Sequence, residues 1–255
     1  MTTALITGPT AGIGAEFARQ LAAQGHDLVL VARDQPRLEA TAEGLRAAYG
    51  CAVAILVADL SVRDQLQRVA DRLADPARSV DILVNNAGFG LKGGFLDNDL
   101  AQEEELFDVL CRAVLVLSHT AARAMRERGS GRIINVSSVA SFIAGSSYSA
   151  AKSYVTVLTE ALSVALAGSG VTATALCPGF VHTEFHERAE MGMDYLPDVA
   201  WVPVDKLVRE ALLDSEKGKV ISVPGWQYKA ATRILKLTPR ALARHPRIVG
   251  QHRKP

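Results

Sequence analysis

A chain of 255 residues can hold one large α/β domain or two small ones. Hydrophobic residues at 49% and charged residues at 22% are ordinary for a globular protein with a sizeable core. Lysine and arginine number 28 against 27 acidic residues, and this near balance argues against a general nucleic-acid binder.

The three cysteines, Cys51, Cys111 and Cys177, are far apart and odd in number. They form no metal or redox spacing and read as buried thiols of a reducing compartment. No leader-like segment precedes the first strand-like run, and no apolar stretch suits a bilayer, so a cytoplasmic location is expected.

Ala4–Thr7 is a short apolar run, followed by GPTAGIG and a helical pattern through Gln24. Strand, glycine loop and helix open a nucleotide-binding βαβ unit. Gly8, Gly12 and Gly14 allow a tight turn and close backbone approach, and the helix start offers free N–H groups to a phosphate. The same glycines would also suit a plain turn. Asp27–Ala32 is a second buried strand, ending at Ala32 and Arg33 where an NAD-binding fold places an acidic residue. A guanidinium there suits a 2′-phosphate, with Arg37 one turn on as a weaker second contact.

Residues 52–57 read as a third strand ending in Ala58-Asp59-Leu60, with a helix to about Ala74. Residues 81–84 read as a fourth, running into Asn85-Asn86-Ala87-Gly88. A long helix is expected from about Asp99 to Arg128, apolar over more than the single stripe a covering helix needs. The segment after Tyr148 is similarly rich, so both are expected to meet another subunit.

A fifth strand, 132–137, leads into SSVASFIAGSSYSAAK, residues 137–152. Tyr148 and Lys152 stand four apart at a helix start, on one face and about 5–6 Å from each other. An ammonium there would favour the phenolate and lower the tyrosine pKa from about 10 towards neutral. Ser137 or Ser138 could hold a carbonyl oxygen against that hydroxyl. A sixth strand, 171–176, leads into Cys177-Pro178-Gly179-Phe180-Val181-His182-Thr183.

Residues 184–202 look irregular yet apolar, as a substrate lid would. A helix at 204–214 and a strand at 219–223 close the domain. From Trp226 the chain is basic with interleaved apolar residues: a surface anchor for anionic membranes or a solvated end packed over the lid.

These elements predict an α/β fold of Rossmann type: a doubly wound parallel sheet of about seven strands with helices on both faces. One domain is expected over 1–225, with a lid at about 180–203 and a basic extension at 226–255. His182-Thr-Glu-Phe-His186 offers metal ligands, but its H-x-E-x-H order is not that of a zinc helix, and no metal is expected.

With these residues in hand, the chain resembles the classical short-chain dehydrogenase/reductase family from about residue 3 to 225. The motifs TGPTAGIG, AD at 58–59, NNAG at 85–88, a serine before YSAAK, and PGFVHT at 178–183 stand in the family's order. The resemblance implies that Gly8, Thr10, Gly12, Ile13 and Gly14 hold a pyrophosphate. It places Asp59 and Leu60 at adenine, and Asn86 and Gly88 at the adenosine ribose. Pro178, Gly179 and Thr183 fall at the cofactor, with Thr183 on the nicotinamide carboxamide.

Tyr148 becomes the acid/base, Lys152 the nicotinamide-ribose ligand and Ser138 the carbonyl-polarising group, while Arg33 matches an NADP preference. The implied activity is reversible NADPH-dependent reduction of an apolar ketone or aldehyde by a homodimer or homotetramer. SVPGWQYK and the basic tail look like members that reduce lipophilic ketones.

Two departures stand out. Leu110 occupies the place of an asparagine usual in the long helix, and the ten residues from Ser138 to Tyr148 are fewer than is usual. They keep open a catalytically weak NADP-binding sensor or interaction subunit, and an epimerase or dehydratase would use the same triad.

Overall fold

The computed structural model describes residues 2–183 and 200–237. Its sheet contains β1 Thr3–Thr7, β2 Asp27–Ala32, β3 Val53–Val57, β4 Ile82–Asn85, β5 Gly131–Val136, β6 Val171–Leu176 and β7 Ile221–Ser222. The strand order is β3-β2-β1-β4-β5-β6-β7, with every pairing parallel. The chain therefore builds outward in one direction from β1 and in the other from β4. Between those two strands the connections diverge, which opens a crevice at their C-terminal ends.

Helical crossovers cover both faces: α1 Gly12–Ala23, α2 Gln35–Tyr49, α3 Arg63–Ala74, α4 Leu100–Phe107, α5 Ala113–Arg128, α6 Ser147–Ala165 and α7 Val204–Glu216. The helix expected over 99–128 is present, interrupted by a π-turn at Asp108–Arg112. The basic segment after Gly225 begins as another helix, α8 Trp226–Leu237.

Because a strand's side chains alternate between faces, successive residues of β1 enter different cores. Ala4 and Ile6 join Phe17, Leu21, Leu28 and Leu30 beneath α1, α2 and α7. Leu5 joins Val29, Val31, Leu66 and Leu117 beneath α3 and α5. Burial on both faces explains why these strands read as continuous apolar runs rather than alternating ones. Leu5 is fully buried, so Leu5→Ala would leave a cavity costing about 2–5 kcal/mol.

Side-chain amides pair across the sheet centre. Asn85 Nδ2 donates to Asn135 Oδ1 at 2.8 Å, and Asn135 Nδ2 donates to Thr159 Oγ1 at 3.0 Å. This seam ties β4 to β5 and β5 to α6, the helix that carries Tyr148 and Lys152.

Candidate active site

Local sequence shapes the glycine loop first. Gly8 and Gly12 have φ of 65° and 54°, the left-handed region where a side chain is strained. A Cβ at Gly14 would overlap the Gly8 carbonyl oxygen and Asn86 Nδ2. Asn86 Nδ2 donates to the carbonyls of Thr7 and Gly8, each at 3.0 Å. The Thr7 hydroxyl accepts from the backbone N–H groups of Asn86 at 2.9 Å and Ala87 at 3.0 Å. Thus the ends of β1 and β4 are stitched together at the crevice, and Asn86 serves the loop's shape.

No side chain caps α1 at Ala11, and its first turn has no acidic residue. Its N–H groups and positive dipole end therefore remain for an anion. Thr183 lies against this turn, since a Cβ on Gly12 would come within 3.0 Å of the Thr183 side chain. Ile13 packs partly buried on the core beneath.

Two arginines flank the same loop. Arg33 Nη1 lies 3.4 Å from Glu105 Oε1 and 3.7 Å from Asp59 Oδ2, with the Arg33 side chain largely exposed. Arg37 Nη2 donates to the Thr10 carbonyl at 3.2 Å, which puts it nearer the loop than position alone indicates. Burial pushes the Asp59 carboxyl up, but hydrogen bonds from Ser61 and the Arg33 guanidinium together outweigh it and hold the group below its ordinary value. Leu60 packs inside the second core cluster, so its side chain faces the sheet.

The serine pair divides by role. Ser137 is buried and donates to the Lys152 carbonyl at 2.8 Å, so it braces α6. Ser138 accepts from Ala140 N at 3.1 Å, capping a short 3-10 turn over Val139–Phe142, and makes a side-chain hydrogen bond with Tyr148. Ser146 caps α6 by accepting from Ser149 N at 3.2 Å, which starts the helix just before Tyr148.

Lys152 Nζ sits 5.6 Å from the Tyr148 ring centroid, one helical turn along, as the spacing predicts. The expected electrostatics differ. Desolvation pushes the Tyr148 phenol up to about 12, and only the Ser138 bond works against it. Burial pulls Lys152 down to about 8, and its ammonium donates to the Val136 carbonyl at 2.7 Å. The lysine's hydrogen bond goes to a backbone carbonyl, and the net shift of the phenol is upward, set by burial.

Leu110 falls within the π-turn, and a Cβ on Gly88 would lie 2.7 Å from its Cδ2 and 3.8 Å from Lys152 Nζ. A wide turn of this kind often marks a functional position. Leu110 also belongs to an apolar cluster that includes Phe89, Leu91 and Tyr148.

At the other side, Pro178 O accepts from Val139 N at 3.0 Å, joining the PG turn to the Ser138 loop. A Cβ on Gly179 would overlap the Tyr228 ring. The Tyr228 hydroxyl accepts from Phe180 N at 3.0 Å and donates to Ala200 O at 2.6 Å. Nothing local in the sequence marks Tyr228. His182 stacks on Trp201 at 3.8 Å, and Phe180 bridges to Trp201. The central part of the expected lid, and His186 of the metal-like motif, lie outside the described residues. Among the described residues no cluster of potential metal ligands occurs.

A glycine-lined crevice at the sheet's switch point, beside a serine–tyrosine–lysine group, defines a dinucleotide-dependent oxidoreductase of α/β class. The short chain dehydrogenase family model matches residues 2–193, and the chain belongs to that family. The ketoacyl reductase HetN of Nostoc sp. is 33% identical over 227 residues, covering 87% of this chain and 77% of its own. A short-chain dehydrogenase from Sphingobium yanoikuyae, solved in complex with NADPH, superposes with a TM-score of 0.86. It is 36% identical, over 95% of this chain and 94% of its own. A bulky-bulky ketone specific alcohol dehydrogenase from Comamonas testosteroni gives 0.80 at 29% identity, over 97% and 98% of the two chains.

Proposed function

We propose that this oxidoreductase reduces an apolar ketone or aldehyde with NADPH, with Tyr148 as proton donor. The observation that carries the proposal is the hydrogen bond between Ser138 and Tyr148, one helical turn from buried Lys152. Gly8, Thr10, Gly12, Ile13 and Gly14 shape the phosphate cradle, and the uncapped start of α1 suits its charge. Arg33 and Arg37 suit the 2′-phosphate that separates NADP from NAD. Asp59, Asn86, Gly88, Pro178, Gly179 and Thr183 border the rest of the dinucleotide groove. When bound, the nicotinamide supplies the hydride.

The residues then handle one proton. Ser138 orients the carbonyl oxygen beside the Tyr148 hydroxyl. A phenol raised to about 12 keeps its proton at neutral pH, which is the form a donor must hold. The alkoxide left on the substrate is a stronger base than phenolate, so transfer from Tyr148 runs downhill. Alcohol oxidation needs the opposite transfer and is favoured only at higher pH.

Phe89, Leu91 and Leu110 around Tyr148 form an apolar wall and support an apolar substrate. Exposed Leu100, Phe107 and Leu115 on α4 and α5, with Tyr154, Val157 and Val164 on α6, support a homo-oligomer built on these helices. A single catalytic domain over 1–225 is consistent with one sheet spanning β1 to β7.

Tyr148→Phe is the test: turnover over a panel of ketones falls by about 10²–10⁴-fold while NADPH binding, read by nicotinamide fluorescence, is retained. Undiminished turnover would remove Tyr148 from its role. NADPH binding by wild type without turnover of any carbonyl would instead favour a sensor.

A further inference from the structure

From Trp226 to Pro255 the chain carries eight lysines and arginines and neither aspartate nor glutamate. The preceding 225 residues hold the other 20 basic residues against all 27 acidic ones. A formal −7 body is thus followed by a +8 segment, an asymmetry that the whole-chain charge of +1 conceals.

Helix α8 shows how this segment begins. One side is fastened to the domain: Tyr228 bonds Phe180 and Ala200, Thr232 is 5% exposed, and Lys229 pairs with Glu210 at 2.5 Å. The opposite side presents Trp226, 73% exposed, then exposed Ala230, then Ile234, 66% exposed. Positions i, i+4 and i+8 form one stripe, and exposed Arg233 lies at its edge. An outward indole and isoleucine beside a guanidinium, followed by a run of cations, match the composition of an interfacial helix.

We propose that α8 docks on anionic bilayers, with the Trp226–Ala230–Ile234 stripe entering the boundary between headgroups and acyl chains. Arg233 at its edge, and the net positive charge of the acid-free sequence that follows, draw the helix to lipid phosphates. Among the described residues no helix is long and apolar enough to cross a membrane, so the contact is peripheral. A polyanion such as nucleic acid would engage the cations but give the stripe no apolar partner. A symmetric contact between two copies of α8 would set one cationic run against another.

The test uses the full chain, as wild type and as Trp226→Ser/Ile234→Ser. Each is sedimented with vesicles of phosphatidylcholine alone or mixed with phosphatidylglycerol, at low and high salt. Wild type is expected to bind the anionic vesicles, to release as salt rises, and to show tryptophan quenching by brominated lipid. The double variant should bind about tenfold more weakly, because it lacks the buried apolar area, while keeping its thermal midpoint. Equal binding by both proteins without quenching, matched on heparin, would assign the segment to polyanions and overturn the proposal. Absence of binding to anionic vesicles would overturn it, as would a loss of oligomeric mass in the double variant, which would make the stripe a contact between copies.

Discussion

Arg33 faces two carboxylates, Asp59 and Glu105, before any phosphate reaches it. Arg33→Ala is expected to erase the preference for NADPH over NADH in fluorescence titrations. Glu105→Gln removes a competing negative charge and should tighten NADPH binding about two- to fivefold at low salt, less at high salt, since the pair is exposed and screened. Lys152 makes a second prediction at this scale. Its folded value of about 8 lies below the ordinary 10.5. Between those values the unfolded chain binds more protons, so stability rises with pH across that window. Below it the full cost of the buried ammonium is present. Lys152→Met should flatten the rise, read as the difference in urea midpoints between about pH 8 and about pH 10.

The glycine loop, the PG turn and α8 act as one assembly. Gly14→Ala would drive a Cβ into the Gly8 carbonyl and the Asn86 amide, so dinucleotide binding should be lost while the distant core keeps most of its stability. Tyr228→Phe removes two hydrogen bonds that join Phe180 to Ala200 across the base of the lid segment. It should cost about 1–3 kcal/mol in denaturant unfolding, because the Phe180 N–H and the Ala200 carbonyl lose their partner. Glycine at 179 has a tertiary cause as well: the Tyr228 ring occupies the space a side chain would fill. Nothing in the sequence marks the π-turn, since Leu110 lacks the polar side chain that would explain a widened helix there.

For the whole molecule, the exposed apolar faces of α4, α5 and α6 predict an assembled mass in light scattering, and Val157→Asp should shift it towards the monomer. By itself the sequence determined the strand–helix alternation, the parallel sheet and the glycine loop. These depend on periodicity and on residues close together in the chain, where backbone sterics and local hydrogen bonding act directly. It also placed Tyr148 and Lys152 on one helical face.

Which serine reaches the tyrosine was open in the sequence, because both end the same strand, and only the folded chain sends Ser137 under α6 and Ser138 to Tyr148. The tyrosine's pKa moves opposite to the direction its spacing from Lys152 implies, for a related reason. Spacing gives a distance between charges, but desolvation depends on every atom the fold brings around them. Glu105 beside Arg33, Asn86 on Gly8 and Tyr228 on Gly179 are pairs 72, 78 and 49 residues apart in sequence. Only the tertiary structure could decide them, because sheet order and crossover packing, rather than any local pattern, bring such residues together.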